Sequence, residues 1–350
     1  MFRQMLRQLR AGRRFSLDVL LDAADDHMHQ LETVVPPGSG ALPRTPFESG
    51  LPRERMALTK IRGADRLRVA RRVLPILTHM RLGANLYGTA APARRSEASA
   101  ADIDELVDRA RRLGAKDIAF VRVPPDAIFA GKSIPHPYAI VFTVEMEKEP
   151  IDSAPSLECQ LEVMDGYKDL TTIASALAGF LRQRGFSAFP GTALGGTTDY
   201  PHLAELAGLG AIGYHGLLIA PEGGARLRIS TIYTNIANLP LRESNEHAWV
   251  RDFCAMCRKC VRSCPVEAIF DAPAERGNGG RQCIDHGRCR DYFTEHYGCA
   301  ICVKVCPFSQ VGYERVRERF RGNPTAPRFD IGSDGRVAIP VVEPSEGVRA

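Results

Sequence analysis

The stretch Cys254-Ala-Met-Cys257-Arg-Lys-Cys260-Val-Arg-Ser-Cys264-Pro265, answered by Cys299-Ala-Ile-Cys302-Val-Lys-Val-Cys306-Pro307, decides how this chain is read. Three thiols at intervals of three, with a fourth four residues on and capped by proline, let a short loop present three thiolates to three irons of a four-iron four-sulfur cube. The fourth iron then takes its thiolate from the distant half. On this logic Cys254, Cys257 and Cys260 share one cluster with Cys306, and Cys299 and Cys302 share a second with Cys264. One ligand remains to be found, from Cys283 or Cys289. Cys289 lies closer to the second loop, in Asp285-His-Gly-Arg-Cys289-Arg-Asp-Tyr-Phe293, a stretch able to start a short helix, and is the choice here.

The spacing is that of the bacterial ferredoxins. Zinc is the alternative, since paired Cys-x-x-Cys knuckles also build tetrahedral sites, but zinc needs neither the Cys-Pro endings nor the dense opening trio. A disulfide framework suits small secreted chains. Of the ten cysteines, nine fall between positions 254 and 306 and Cys159 stands alone, so the thiols serve a local metal site in a reducing compartment.

At 350 residues, 44% hydrophobic and 25% charged, the chain has room for one large core plus a satellite or for two domains. It has no apolar run of membrane-spanning length. The net charge is +5, and Arg3, Arg7, Arg10, Arg13 and Arg14 supply five positive charges before any acid occurs. The remainder is nearly neutral, so nucleic acid, which would need a basic face on the folded body, is not expected as a partner. Phe2, Met5, Leu6 and Leu9 lie at helical spacing opposite those arginines, a pattern for weak association with a membrane surface or a partner. Arg13-Arg14-Phe15 is not an export signal, because Asp18, Asp22, Asp25 and Asp26 interrupt the apolar stretch that would have to follow. A cytoplasmic location is the default expectation.

Residues 34 to 53, rich in Pro and Gly, read as a loop, and Met56 to Leu86 as helical. Asp102 to Leu113 reads as an amphipathic helix stopped by Gly114, and Asp117 to Val123 and Tyr138 to Met146 as buried strands. Leu170 to Arg184 is an apolar helix closed by Gly185, followed by the short extended Phe186 to Phe189. Pro201 to Leu206 is helical, and Leu217 to Ala220 pairs with Leu227 to Thr234 as a hairpin across Pro221-Glu-Gly-Gly224. The expected class is mixed α/β (α+β) with four parts: a basic helix and linker over 1–55, an α/β domain over 56–245, a double-cluster module over 246–322 and an extended tail over 323–350.

Gly208-Leu-Gly210-Ala-Ile-Gly213 matches the dinucleotide fingerprint letter for letter. That fingerprint needs a strand before it and a helix after it, whereas here a helix precedes and a strand follows. Glycines that let backbone approach a large flat cofactor fit the context better.

The run Leu206 to Arg228, with Thr234 to Leu241 and the two cysteine motifs after it, resembles the reductive dehalogenases, and epoxyqueuosine reductases share the plan. Val141 to Met146 and Gly166-Tyr167 through Phe189-Pro190 carry the likeness upstream, so that it covers roughly 138 to 310. The resemblance implies a nitroreductase-like, cobalamin-binding core followed by a ferredoxin-like module whose two four-iron four-sulfur clusters pass electrons to cobalt. It implies that Ala207, Gly208, Leu209, Gly210, Ala211, Ile212 and Gly213 lie against the corrin. It implies a tyrosine proton donor with a basic neighbour: Tyr167, partnered by Arg226 or Arg228, with Asp165 as the substitute donor of an epoxyqueuosine-type site. The partners implied are a small organic substrate, of which organohalides are one class, and an external low-potential donor of ferredoxin or flavodoxin type. The alternatives kept are an epoxyqueuosine reductase acting on tRNA, which should carry an Asp where Gly166 stands, and a two-cluster electron carrier without corrinoid. The chain departs from the dehalogenase pattern at Ala211, at Tyr214 and in the lengthened Thr234-Asn-Ile-Ala-Asn-Leu-Pro-Leu241.

Overall fold

The structure, a computed structural model, describes residues 25–28, 31, 33–45, 55–89, 93–193, 196–277 and 279–320, with backbone for 330–331 and 337–338. The basic segment 1–14 and most of the tail from 323 lie outside these residues. Among the described residues no helix is long and apolar enough to cross a membrane.

The architecture is a mixed one of helices and strands, built on a four-stranded antiparallel sheet of order β1 (Asp117–Arg122), β2 (Tyr138–Glu145), β6 (Leu227–Thr234), β3 (Ala188–Pro190). β2 is buried on both faces, as its nearly unbroken apolar run requires. Ile140, Phe142 and Val144 face one core layer and Ala139 and Val141 the other. The first layer is closed by helix α2 (Ala100–Arg112) and helix α4 (Leu157–Gln183). Helix α5 (Tyr200–Leu206) covers the second. Helix α1 (Ala64–Gly88) lies along α4, with Ile76 and Met80 packed on Leu161 and Met164.

Local signals set the ends of α2. Ser99 and Asp102 form a reciprocal capping box, and Gly114, with φ of 106°, takes the left-handed conformation that ends the segment. Helix α4 differs from expectation. It starts at Leu157 on the Ser156 cap, so Tyr167 sits inside the helix rather than before it.

The expected hairpin of Leu217–Ala220 with Leu227–Thr234 is also not what forms. Strand β5 (Leu218–Ile219) pairs with β4 (Ala211–Ile212), and β6 pairs with β2 along its whole length and with β3 at its far end. Both edges of β6 are thus in use, and only the Ala220–Gly224 bridge closes the turn between β5 and β6.

After this layer come helix α6 (Trp249–Cys257), helix α7 (Lys259–Ser263), the hairpin β7 (Ile269–Glu275) and β8 (Arg281–Ile284), helix α8 (His286–Glu295), helix α9 (Ile301–Lys304), helix α10 (Pro307–Gln310) and helix α11 (Tyr313–Phe320). Phe253, Phe308, Trp249, Tyr313 and Phe320 form an aromatic cluster that packs this segment. Met146, Ile151 of the short helix α3 (Lys148–Asp152), Cys159 and Ile219 join the same core from the preceding segment.

Candidate functional site

The cysteines lie on short helical turns joined by backbone that bends sharply. Arg258 (φ 48°) separates α6 from α7, and Cys299 (φ 48°) and Ala300 (φ 66°) precede α9. Together with Glu267 and Tyr297 these are all the non-glycine residues of positive φ among those described, and all fall between 258 and 300. Such strain, of order 1–3 kcal/mol per residue, gathers at functional sites.

Two neighbourhoods of thiols result. Cys254 is within electrostatic reach of Cys257 and Cys260, and Cys306 of all three. Cys302 is within reach of Cys264, Cys289 and Cys299, and Cys289 of Cys264 and Cys299. The neighbourhoods adjoin at Cys260 and Cys302. Cys289 is carried by α8, which Asp285 caps by accepting from the N–H groups of Gly287 and Arg288. Cys283 lies on β8 beside Cys254 and Cys260, at the margin of the first group.

The first four thiols and His215 border a cavity of about 280 Å³ closed by Phe253, Pro307 and Phe308. Burial, reinforced by the charge of neighbouring thiols, pushes Cys260 and Cys289 up to about 12 and Cys302 and Cys306 well above the usual thiol range. Buried neutral thiols must give up protons to a metal, which couples metal binding to proton release. Among the described residues no three His, Cys, Asp or Glu side chains converge as a single ion demands. Four thiols bordering one cavity are the donor type that iron–sulfur clusters take.

Tyr167 lies where three hydrophobic clusters meet, half-buried. Arg228 Nη1 donates to its hydroxyl oxygen at 2.9 Å, and the guanidinium stands 4.6 Å from the ring centre. Of the two arginines expected as partners, only Arg228 takes this role. Arg226 precedes β6, pairs with Glu145 at 2.8 Å and donates to the Met146 carbonyl.

Asp165 is elsewhere engaged. It pairs with Arg72 at 2.6 Å and with Lys168 at 2.8 Å. Burial alone would raise its carboxyl, but the bonds from Lys168 and Arg72 outweigh burial and hold it below the usual range. Two residues along a helix also turn the side chain by about 200°, away from Tyr167. Asp165 is therefore an ionised partner of Arg72 on α1 and of Lys168.

Gly166, unremarked as a structural element by its sequence, makes room for the pair. A Cβ there would stand 3.1 Å from Arg228 Cγ.

The segment Ala207–Gly213 is buried by the protein's own atoms. A Cβ on Gly210 would fall against the Ile219 carbonyl, and one on Gly213 would meet Ile219 Cδ1 at 2.6 Å. These glycines thus serve the close approach of β4 to β5, a reason for their presence that differs from cofactor contact. The segment is tied to α6: Glu205 accepts from the Ile212 N–H at 2.8 Å and pairs with Arg251 at 2.6 Å, while Asn245 Nδ2 donates to the Gly210 carbonyl at 2.8 Å.

A cavity of about 340 Å³ lies one turn along α4 from Tyr167, between α1 and β3, lined by His79, Gly83, Thr171, Ser175, Gly191 and Thr192 among others. His79 Nδ1 is buried there without a hydrogen-bond partner. The cavity is smaller than a corrinoid with its macrocycle and tail, so it is not by itself a built cobalamin site.

No family model matches the chain. It is 32% identical over 186 residues, 49% of its length, to the tetrachloroethene reductive dehalogenase of Dehalobacter restrictus, covering 33% of that protein. The corresponding enzyme of Sulfurospirillum multivorans is 30% identical over 182 residues, again 49% of this chain and 35% of that one. The epoxyqueuosine reductase of Synechocystis is 30% identical over 125 residues, 31% of this chain and 38% of the other. The chain spans about a third of the length of these curated relatives. Among solved structures the catabolic reductive dehalogenase NpRdhA shares the fold, with a TM-score of 0.60 at 21% identity over 85% of this chain and 47% of that one. In sequence the chain is similar to the reductive dehalogenases and, over a shorter stretch, to the epoxyqueuosine reductases, both of them oxidoreductases.

Proposed function

We propose that the chain is an iron–sulfur oxidoreductase of the reductive dehalogenase type, with a nitroreductase-like core over 56–245 and a ferredoxin-like module over 246–322. In this reading Cys254, Cys257, Cys260 and Cys306 hold one four-iron four-sulfur cluster, and Cys264, Cys289, Cys299 and Cys302 the second. The observation that carries it is that thiols of the two motifs lie together, Cys306 beside Cys254, Cys257 and Cys260, and Cys264 beside Cys289 and Cys302, with Cys260 and Cys302 also neighbours and Cys283 at the margin. Clusters bound there would supply electrons one at a time from an external low-potential donor. Cobalamin belongs to the proposal through the similarity to its relatives.

Replacing a carbon–halogen bond by carbon–hydrogen consumes two electrons and one proton and releases halide. Tyr167 is assigned the proton. Its oxygen accepts from Arg228, which leaves its own O–H free to point at a substrate, and the cation stays beside the phenolate once the proton has gone. The substrate is a small organic molecule reached from the half-buried face of Tyr167. The epoxyqueuosine reading is weaker here, because an Asp in place of Gly166 would press on Arg228.

The test is anaerobic reconstitution with iron, sulfide and cobalamin, gel filtration, and assay of retained metal, corrinoid and halide release from aryl and vinyl halides. About eight irons, retained corrinoid and halide release support the proposal. Eight irons without corrinoid would make the chain a two-cluster electron carrier.

A further inference from the structure

His215 sits on the turn between β4 and β5, only 4% exposed, in the wall of the cavity bordered by Cys254, Cys257, Cys260 and Cys306. Its two nitrogens are used unequally. Nδ1 accepts the Leu217 N–H at 3.2 Å, so it carries a lone pair and the ring proton resides on Nε2. Nε2 is buried and has no hydrogen-bond partner. A buried N–H donor left unmade costs roughly 1–3 kcal/mol, and the wall it stands in faces four thiols.

The neighbouring backbone points the same way. The backbone of Tyr214 lies near the sulfur of Cys254, and that of Gly216 near the sulfur of Cys283. The second group has a donor of its own, the Ala268 N–H to Cys264 Sγ at 3.3 Å, whereas the ring nitrogen of His215 in the wall of the first cavity is unpaired.

We propose that His215 Nε2–H donates a hydrogen bond to the cluster held by Cys254, Cys257, Cys260 and Cys306, and that this bond raises the reduction potential of that cluster. The inference rests on the two-cluster reading above. Donors to cluster sulfur stabilise the more negative, reduced state.

The test uses the reconstituted full chain, with iron and sulfide analysis and an anaerobic redox titration followed by electron paramagnetic resonance. His215→Met keeps the bulk and removes the donor, and His215→Gln restores one. The expected result is a downward shift of one midpoint in His215→Met, the other midpoint unmoved, and recovery towards the parent value in His215→Gln. Loss of one cluster in His215→Met but not in His215→Gln would also support the bond, since the donor is what distinguishes them. Unmoved midpoints in His215→Met, equal shifts in both variants, or loss of the cluster from both would overturn it while leaving the cluster reading intact. A parent protein that takes up no cluster would overturn both.

Discussion

Arg228 holds Tyr167 from two directions: its Nη1 lies 2.9 Å from the phenol oxygen and its guanidinium carbon 4.6 Å from the ring centre. The ring therefore cannot swing without giving up a charge-assisted hydrogen bond and a cation–π contact at once. A proton donor gains from such fixity.

Tyr167→Phe should leave fold and iron content unchanged and lower turnover with a reducible substrate by about 10²- to 10⁴-fold, the usual worth of a positioned general acid. Arg228→Met should lower turnover as well. The double variant should be little worse than Tyr167→Phe, because the two side chains act as one unit. Unchanged turnover in Tyr167→Phe would remove the tyrosine from the mechanism.

Gly166→Ala separates stability from activity. Alanine should contribute about 1 kcal/mol to the helix over glycine, but its methyl would stand 3.1 Å from Arg228 Cγ and push the guanidinium off the phenol. The expected outcome is a melting temperature within a few degrees of the parent and a clear fall in turnover. Full activity with an unchanged or raised melting temperature would show that Arg228 yields freely.

Cys289→Ser should cut iron from about eight to about four per chain, whereas Cys283→Ser should retain about eight. Cys289 lies among Cys264, Cys299 and Cys302, and Cys283 at the margin of a group that already has four members. Iron analysis and visible absorbance decide it. The reverse pattern would exchange their roles.

Gly210→Ala should destabilise the protein even without any cofactor, by about 1–3 kcal/mol as for other overpacked sites, because its Cβ would fall against the Ile219 carbonyl. Thermal melts of corrinoid-free protein test this. A loss confined to corrinoid binding, with the melt unchanged, would point instead to cofactor contact at this glycine.

His136 should make stability fall on mild acidification. Burial first, and the Arg182 charge second, push it from 6.5 down to about 4, while it bonds to Ser187 at 2.7 Å. Between those values the unfolded chain binds a proton that the native chain refuses. Stability is therefore full above pH 6.5 and declines as pH falls to about 4, by on the order of 3 kcal/mol. His215, pushed down to about 4 by burial, adds a similar share. His136→Gln should flatten the decline in denaturant melts across this window, and an unaltered slope would sink the assignment.

Local order was legible where neighbours in sequence decide it. The helix Ala100–Arg112 lies in its cap and in Gly114, β2 in its apolar run, and α8 in the Asp285 cap ahead of Cys289. The cysteine spacing likewise announced loops built around something with several corners. What spacing cannot contain is the partner of a group that is distant in the chain. Arg226 and Arg228 differ little as residues, and their roles parted only because β6 begins at Leu227 and puts the second arginine over Tyr167. Strand β5 chose β4 because β2 and β3 had already taken both edges of β6. His215 carries no signal as a lone histidine; it acquires a meaning because the turn after β4 ties one nitrogen to backbone and leaves the other buried and unpaired, in a residue that lines a cavity walled by cysteines. Such assignments depend on which surfaces exclude water together, a property of the folded whole and not of any one segment.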